Sequence, residues 1–295
     1  MPSRNMIRLA FIAAVVATAF VILIIIAFSF FPQIETMLTT KSSDAGADVI
    51  VIGGGLAGLS ATIEAARHGA RVTIVEKEKS LGGNSAKATS GMNGADTIPQ
   101  RSLHIEDTPE LFGADTTKSG GGRSKPDLVS ILATNSASAV EFITSFSVGL
   151  TNVVQLGGHS VPRTHRIPPT ADGKPVAVGF SIVSMLRKYV ETELSGSVRV
   201  LTNSVFRSLL WEGDRVVGVV YEAEDGTEQK LKGNVIFAAG GFANDRTSAD
   251  SLLVKYVPKL SKLPTTNGIW ATGDIIKATT GDGLSLVDMD QVSDC

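Results

Sequence analysis

A glycine-rich turn between an apolar segment and a helical one limits the fold of this chain more than any other feature. Residues 48–52 (Asp-Val-Ile-Val-Ile) form a short apolar run typical of a buried strand, and Gly-Gly-Gly-Leu-Ala-Gly follows at residues 53–58. A helical pattern runs from Leu59 to His68, and the segment 71–75 predicts a second strand followed directly by Glu76. Glu76 comes 23 residues after the first glycine, close to the spacing of about 20 in dinucleotide-binding βαβ units.

Each position in this turn has a physical role in holding a dinucleotide. Gly53 allows the tight turn, Gly55 lets the backbone approach the pyrophosphate, and Gly58 lets the helix pack closely on the strand. The first N–H groups of the helix face the phosphates, and Glu76 accepts hydrogen bonds from ribose hydroxyls. A glycine-rich turn without a ligand is the alternative, but the succession of strand, glycines, helix, strand and acid favours a dinucleotide site.

The segments after Glu76 favour FAD over a nicotinamide dinucleotide. Small residues recur at 82–85 and 90–94, and a flavin needs backbone close to its ribityl chain and ring. We therefore predict an α/β fold: a Rossmann-like, glutathione-reductase-type FAD-binding domain with a β-meander. The strands predicted for the meander and the return to the first sheet are Val198–Leu209, Val216–Tyr221, Glu228–Lys232 and an apolar strand from Asn234 that leads into Gly240-Gly241.

The N-terminal segment predicts a membrane anchor. Residues 9–31 form an uncharged run of 23 residues, about 35 Å long as a helix, and a hydrocarbon core is about 30 Å thick. We predict a tail over 1–8, one transmembrane helix over 9–31 and a linker over 32–46. Arg4 and Arg8 favour a cytoplasmic N-terminus, so the FAD domain of this single-pass protein of the endoplasmic reticulum or mitochondria would lie on the opposite side. A cleaved signal peptide and a buried soluble helix are the alternatives.

Composition excludes several classes of function. The 27 basic and 29 acidic side chains give a net charge of −2, without the basic field that nucleic-acid binding needs. Cys295 is the only cysteine, so neither an internal disulfide nor a multi-cysteine metal site can form. His159 and His165 lie six residues apart, but no acid or cysteine flanks them, and we predict no metal site.

Together these segments resemble one particular family. The chain is similar to the fungal soluble-type fumarate reductases, within the wider fumarate reductase/succinate dehydrogenase flavoprotein family. The resemblance covers residues 47–292, where we predict one FAD-binding domain, with a short tail at 293–295. Its most selective string is Gln-Leu-Gly-Gly-His-Ser-Val-Pro-Arg-Thr-His-Arg at residues 155–166. Other matching strings lie at residues 48–58, 76–77, 82–85, 90–95, 107–112, 239–242, 263–268, 272–274 and 287–292.

The resemblance implies an FAD-dependent oxidoreductase that transfers a hydride from reduced flavin to fumarate, giving succinate. It implies that Ala57 and Glu76 contact the AMP half of FAD and that the backbone of Val205 lies near the adenine. Asn84 aligns with the histidine through which covalent members attach the flavin, so we expect non-covalent FAD. The cofactor-binding residues that we predict are Gly53, Gly55, Ala57, Gly58, Glu76, Lys77, Gly83, Asn84, Ser85, Ser90, Gly91, Val205, Ala239, Gly240 and Asp274.

The resemblance also implies substrate-binding residues that this sequence does not contain. Family members bind and protonate fumarate with side chains that follow the segment matching residues 287–292, whereas this chain ends at Cys295. We therefore assign no catalytic residue, expect the capping domain and the returning FAD segment to be absent, and expect no fumarate reduction by this chain alone. One alternative is a non-catalytic FAD-binding fragment. Another is a different FAD-dependent dehydrogenase, such as a ketosteroid dehydrogenase or an aspartate oxidase.

The string at residues 155–166 has two interpretations. Either its histidines and arginines face the substrate, or they hold a structural loop beside the flavin through charge-assisted hydrogen bonds, which is our prediction. The partners that we expect are a small-molecule substrate, fumarate or succinate by resemblance, and a lipid bilayer at the N-terminal helix.

Overall fold

A computed structural model of the chain describes residues 47–246, 249–283 and 285–291. The predicted N-terminal tail, transmembrane helix and linker occupy residues 1–46, which lie outside the described residues, as does the predicted tail at 293–295. Within the described ranges, no helix combines the length and the apolar character needed to cross a membrane.

These residues form an α/β fold, which confirms that prediction. The strands are β1 (Val49–Ile52), β2 (Val72–Val75), β3 (Met92–Asn93), β4 (Asn152–Val154), β5 (Thr164–Arg166), β6 (Val198–Leu201), β7 (Val205–Glu212), β8 (Arg215–Glu222), β9 (Glu228–Lys232) and β10 (Asn234–Phe237). The helices are α1 (Leu56–Arg67), α2 (Ile98–Ser102), α3 (Pro109–Ser119), α4 (Pro126–Thr134), α5 (Ser136–Thr144), α6 (Val178–Thr192), α7 (Leu252–Tyr256) and α8 (Asp274–Thr279), with a 3₁₀ helix at Gly83–Lys87.

A parallel sheet in the order β10-β1-β2-β6 forms the centre of the fold. Val49 of β1 lies opposite Val72 of β2 on one side and Asn234 of β10 on the other. Helix α1 connects β1 to β2 as the crossover of a βαβ unit. Because these strands are parallel, the carboxyl ends of β1, β2 and β10 meet at one edge of the sheet, where ligands of open α/β sheets bind.

Both faces of this sheet are covered. Val51 and Ile74 pack with apolar side chains of α1 and α6. Ile50 and Ile52 point to the other face and pack against the antiparallel meander β7-β8-β9, where Phe206 meets them. Burial on both faces explains why β1 is a continuous apolar run rather than an alternating one.

The structure departs from the sequence prediction between residues 198 and 209. One strand is predicted there, but the chain forms β6 in the parallel sheet and β7 in the meander. The change of direction occurs at Asn203, whose φ is +48°, and the N–H of Ser204 donates to the carbonyl oxygen of Glu76 at 2.9 Å. This hydrogen bond holds the beginning of β7 beside the end of β2.

Candidate cofactor-binding site

A cavity of about 250 Å³ opens at the carboxyl ends of β1, β2 and β10. We call it the cofactor cavity. The residues around it are Ile52, Gly53, Gly54, Gly55, Leu56, Ala57, Val75, Glu76, Lys77, Gly83, Asn84, Ser85, Ser204, Phe206, Ala238, Ala239, Gly240, Gly241, Trp270, Ala271, Asp274 and Ile275.

The glycine turn forms one wall of the cavity. Gly53 has a φ of +102°, and a Cβ there would lie 2.6 Å from the Cα of Ala239. A Cβ on Gly58 would lie 1.9 Å from the carbonyl oxygen of Gly53, so only glycine lets α1 pack this closely on the turn. The first turn of α1 therefore opens into the cavity, where its N–H groups can meet an anion.

Glu76 holds the turn from the end of β2. Its side chain is buried, and Oε2 accepts a hydrogen bond from the N–H of Gly54 at 2.7 Å. Oε1 accepts one from the N–H of Glu78 at 2.9 Å. An ionised carboxylate offers about four acceptor positions, so Glu76 can also receive hydrogen bonds from hydroxyl groups of a ligand in the cavity.

Lys77 connects the end of β2 to the beginning of α8. Its Nζ donates to Asp274 Oδ2 and to Thr272 Oγ1, both at 2.7 Å. Thr272 Oγ1 also donates to Asp274 Oδ1 at 2.5 Å. Lys77 is the one cationic side chain among the described residues around the cavity, and Asp274 neutralises it.

Asn84 connects the 3₁₀ helix to the segment at residues 267–270. Its Oδ1 accepts from the N–H of Gly268 at 2.7 Å, and its Nδ2 donates to Asn267 Oδ1 at 2.8 Å. Both ends of the carboxamide are therefore engaged by protein groups. Next to it, Ser85 Oγ accepts from the N–H of Leu56 at 3.1 Å, which occupies one amide of the first turn of α1.

Comparison with known proteins indicates the family of this chain and the cofactor of that family. The profile of the family described as FAD binding domain matches residues 48–293. The chain belongs to this FAD-binding family. It is 42% identical to fumarate reductase 1 of Saccharomyces cerevisiae over 251 residues, which are 83% of this chain and 51% of that protein.

Two further relatives agree. The fumarate reductase of Schizosaccharomyces pombe is 37% identical over 269 residues, 90% of this chain and 51% of that one. Among solved structures, the open conformation of a flavocytochrome c3 fumarate reductase matches with a TM-score of 0.77 and 30% identity, covering 88% of this chain and 45% of that one. The chain thus spans about half the length of the curated relatives that it matches.

FAD is the cofactor of this family, and the cavity fits it. A Cβ built on Gly55 would make only an ordinary contact, 3.6 Å from Ser85 Oγ, so the chain's own packing does not require glycine there, whereas close approach of a pyrophosphate would. Glu76 offers acceptors to the ribose, and apolar side chains such as Phe206 and Ile275 offer contacts to rings. When bound, FAD would supply hydride chemistry, and the residues around the cavity would bind and orient it.

Most residues predicted to bind FAD lie around the cavity, and four do not. Gly58 packs under the turn, and Val205 is flanked by two cavity residues, Ser204 and Phe206. Ser90 and Gly91 lie outside the cavity lining. A Cβ on Gly91 would lie 2.5 Å from the carbonyl oxygen of His165. Gly91 thus allows a close approach to β5.

Several cavity residues were not predicted, and Trp270 is the largest of them. Its Nε1 is buried and has no hydrogen-bond partner in the part of the chain that the structure describes. Trp270 stands between two strings that carry the family resemblance, residues 263–268 and 272–274. This position in the sequence could have indicated that Trp270 lies near the site. However, an irregular segment has no periodicity from which the direction of the side chain can be predicted.

The string at residues 155–166 holds a buried group of charges away from the cofactor cavity. Arg163 is 0% exposed and forms ion pairs with Asp107 at 2.8 Å and Asp115 at 2.7 Å. A second Arg163 bond to Asp107, at 3.1 Å, makes that pair bidentate. Hydrogen bonds from Ser160 lower the pKa of Asp115 below its ordinary value. We call Arg163, Asp107, Asp115 and Gln100 the Arg163 cluster.

His165 continues this buried network. Its Nε2 lies 2.7 Å from Thr97 Oγ1, and its Nδ1 lies 2.9 Å from the carbonyl oxygen of Arg163. Because a carbonyl only accepts, the proton belongs on Nδ1, and Thr97 donates to Nε2. Burial lowers the pKa of His165, which favours this neutral form. Burial also lowers the pKa of His159.

Proposed function

We propose that this chain is the FAD-binding part of an oxidoreductase that reduces fumarate to succinate. The observation that carries the proposal is the 42% identity to a yeast fumarate reductase over 83% of this chain, together with a cavity at the sheet edge that fits FAD. In this proposal the glycine turn holds the pyrophosphate, Glu76 holds a ribose, and bound FAD passes a hydride to one alkene carbon of fumarate.

The cofactor cavity does not supply the groups that fumarate requires. Reduction of an alkene between two carboxylates needs cationic groups that stabilise developing negative charge. Among the described residues around the cavity, Lys77 is the one cation, and it is paired with Asp274. We therefore propose that the 295-residue chain binds FAD but does not reduce fumarate without further residues.

Fumarate-dependent oxidation of reduced methyl viologen tests this proposal in two preparations, each reconstituted with FAD. The chain alone should show flavin absorbance near 450 nm and no turnover. Co-expression with the part of the yeast relative that this chain does not match should restore fumarate reduction. Turnover by the chain alone would show that its own residues bind fumarate. An FAD-loaded co-expressed pair that does not reduce fumarate would contradict the proposal that this chain is the FAD-binding part of such an enzyme.

We also propose that FAD is held without a covalent bond. The Asn84 carboxamide is not a nucleophile, and both its ends bond to residues 267 and 268. Acid precipitation of the reconstituted chain should release all the flavin into the supernatant. Yellow colour or fluorescence that stays with the precipitated protein would contradict a non-covalent site.

The uncharged run at residues 9–31 supports a further proposal, a single-pass anchor with the N-terminus in the cytoplasm. Alkaline carbonate extraction of membranes from expressing cells should leave the full chain in the pellet, and protease added to sealed vesicles should spare the FAD domain. Release into the supernatant would contradict the anchor. Digestion of the FAD domain in sealed vesicles would contradict its orientation.

A further inference from the structure

Trp270 combines two features that point to a contact with the cofactor. Its side chain lies at the wall of the cofactor cavity, and its Nε1 is a buried donor without an acceptor in the described part of the chain. An indole N–H can only donate, and leaving such a group buried and unpaired is unfavourable. An acceptor for this N–H could therefore come from a cofactor bound in the cavity.

The surrounding residues fix the position of the indole. A Cβ on Gly268 would lie 2.3 Å from the ring, so the ring packs directly on the backbone there. Asn84 holds Gly268 through its N–H, and the Lys87 ammonium lies 5.9 Å from the centroid of the indole ring. Residues of this chain thus hold the indole against the 3₁₀ helix.

The position of Nε1 indicates which part of FAD it meets. Nε1 lies 3.9 Å from the Cβ position of Gly83, a cavity residue at the beginning of the 3₁₀ helix. The preceding residue, Gly82, donates its N–H to the carbonyl oxygen of Gly54 in the glycine turn at 2.8 Å. Nε1 therefore lies beside the end of the 3₁₀ helix that is bonded to the glycine turn, where the pyrophosphate and ribityl chain of a bound FAD would offer oxygen acceptors.

We infer that Trp270 is an FAD-positioning residue whose indole N–H donates a hydrogen bond to an oxygen of the ribityl–pyrophosphate chain. The inference rests on FAD occupying the cavity and does not depend on fumarate as the substrate. None of the residues predicted from the sequence has this role.

The chain offers a matched control, because its two tryptophans lie in different places. Trp211 is on β7 and 41% exposed, outside the cavity lining. In the full chain with ¹⁵N-labelled indoles, W211F and W270F assign the two N–H resonances. On addition of FAD, the Trp270 resonance should shift downfield and exchange more slowly with water, and the Trp211 resonance should stay in place. ADP should reproduce the change if the acceptor is a phosphate oxygen, and only FAD should produce it if the acceptor is on the ribityl chain.

Affinity gives a second measurement. W270F keeps an aromatic ring but loses the donor, and it should weaken FAD binding about tenfold, the effect of one lost hydrogen bond. W211F should bind FAD like the wild type. An unshifted Trp270 resonance in a sample whose absorbance shows bound FAD would overturn the inference, even where W270F does not fold. A wild-type chain that takes up no FAD would overturn both the inference and the cofactor site.

Discussion

The cofactor cavity and the Arg163 cluster are both assembled around sequence strings that identify the family, but they differ in how their polar groups are satisfied. In the Arg163 cluster the guanidinium bonds two buried carboxylates, and Gln100 Nε2 donates to Asp107 at 2.8 Å and to the carbonyl of Pro162 at 2.9 Å. At the cavity, Trp270 Nε1 has no partner in the described residues, and the glycine turn lines an open cavity.

This difference indicates that the Arg163 cluster is a structural motif and that the cofactor cavity is a ligand site. The string at residues 155–166 is the more selective one in sequence, yet its buried charges are directed at each other. The glycine turn is common among dinucleotide-binding folds, yet it leaves donors for a ligand. Sequence selectivity alone therefore does not identify a ligand site, and the distribution of unsatisfied polar groups is the more informative observation.

The strongest test of this comparison is Arg163→Ala. Removing the guanidinium leaves two buried carboxylates without a cation, which should lower the free energy of unfolding by about 3–5 kcal/mol. Arg166→Ala is the matched control, because in the described residues Arg166 donates to the carbonyl of Thr89 at the surface, and we expect a loss below about 1 kcal/mol.

Urea unfolding gives the free energy of unfolding of both variants. If Arg163→Ala does not fold, Arg163→Lys, which keeps the positive charge, can be measured in its place. The folded fraction of either Arg163 variant should bind FAD with wild-type affinity. A stable Arg163→Ala protein with weakened FAD binding would assign the Arg163 cluster to the cofactor site.

Glu76→Gln should instead act on FAD binding. It removes the charge that we propose accepts hydrogen bonds from ribose hydroxyls, but it keeps the size of the side chain and one acceptor oxygen. Since a hydrogen bond to a charged group contributes about 1.5–3 kcal/mol, FAD affinity should fall roughly tenfold to a hundredfold. Glu78→Gln, two residues along the same segment, should bind FAD like the wild type. Equal affinities for the two variants, from titration of flavin fluorescence, would remove Glu76 from the site.

A smaller effect should appear in the pH dependence of stability. His165 is neutral in the folded protein because burial lowers its pKa below the ordinary 6.5, whereas the unfolded chain takes up a proton near that value. Stability should therefore be full above about pH 6.5 and fall as the pH decreases toward the folded pKa, by at most about 1.4 kcal/mol per pH unit for one group.

The measurement compares unfolding midpoints at pH 7.5 and 5.5 for the wild type, His165→Asn and the exposed control His104→Asn. His165→Asn should lose less stability on acidification than the other two. His159 is present in all three proteins and affects their pH dependence over the same pH range. The difference between His165→Asn and the other two proteins therefore reports on His165 alone. Identical pH dependence in all three would mean that folding does not change the pKa of His165, which would contradict a neutral His165 held by burial.

The sequence predicts the first βαβ unit well because its signals are local. The apolar run before Gly53, the helical pattern and the acid after β2 all follow from near neighbours in the chain. The division of residues 198–209 into β6 and β7 could not be predicted, since it depends on the hydrogen bond between Ser204 and Glu76. Trp270 was missed for a similar reason, because its place depends on Asn84 binding Gly268, 184 positions away.

The bonds that close the cofactor cavity also set the order of events during synthesis. Asn84 reaches Gly268, and Lys77 reaches Asp274, 197 positions later. A ribosome that has made the first βαβ unit has therefore not yet made the opposite wall. In the proposed site FAD contacts both walls, so its uptake would follow the synthesis of residue 274, and FAD would then stabilise the native state by mass action.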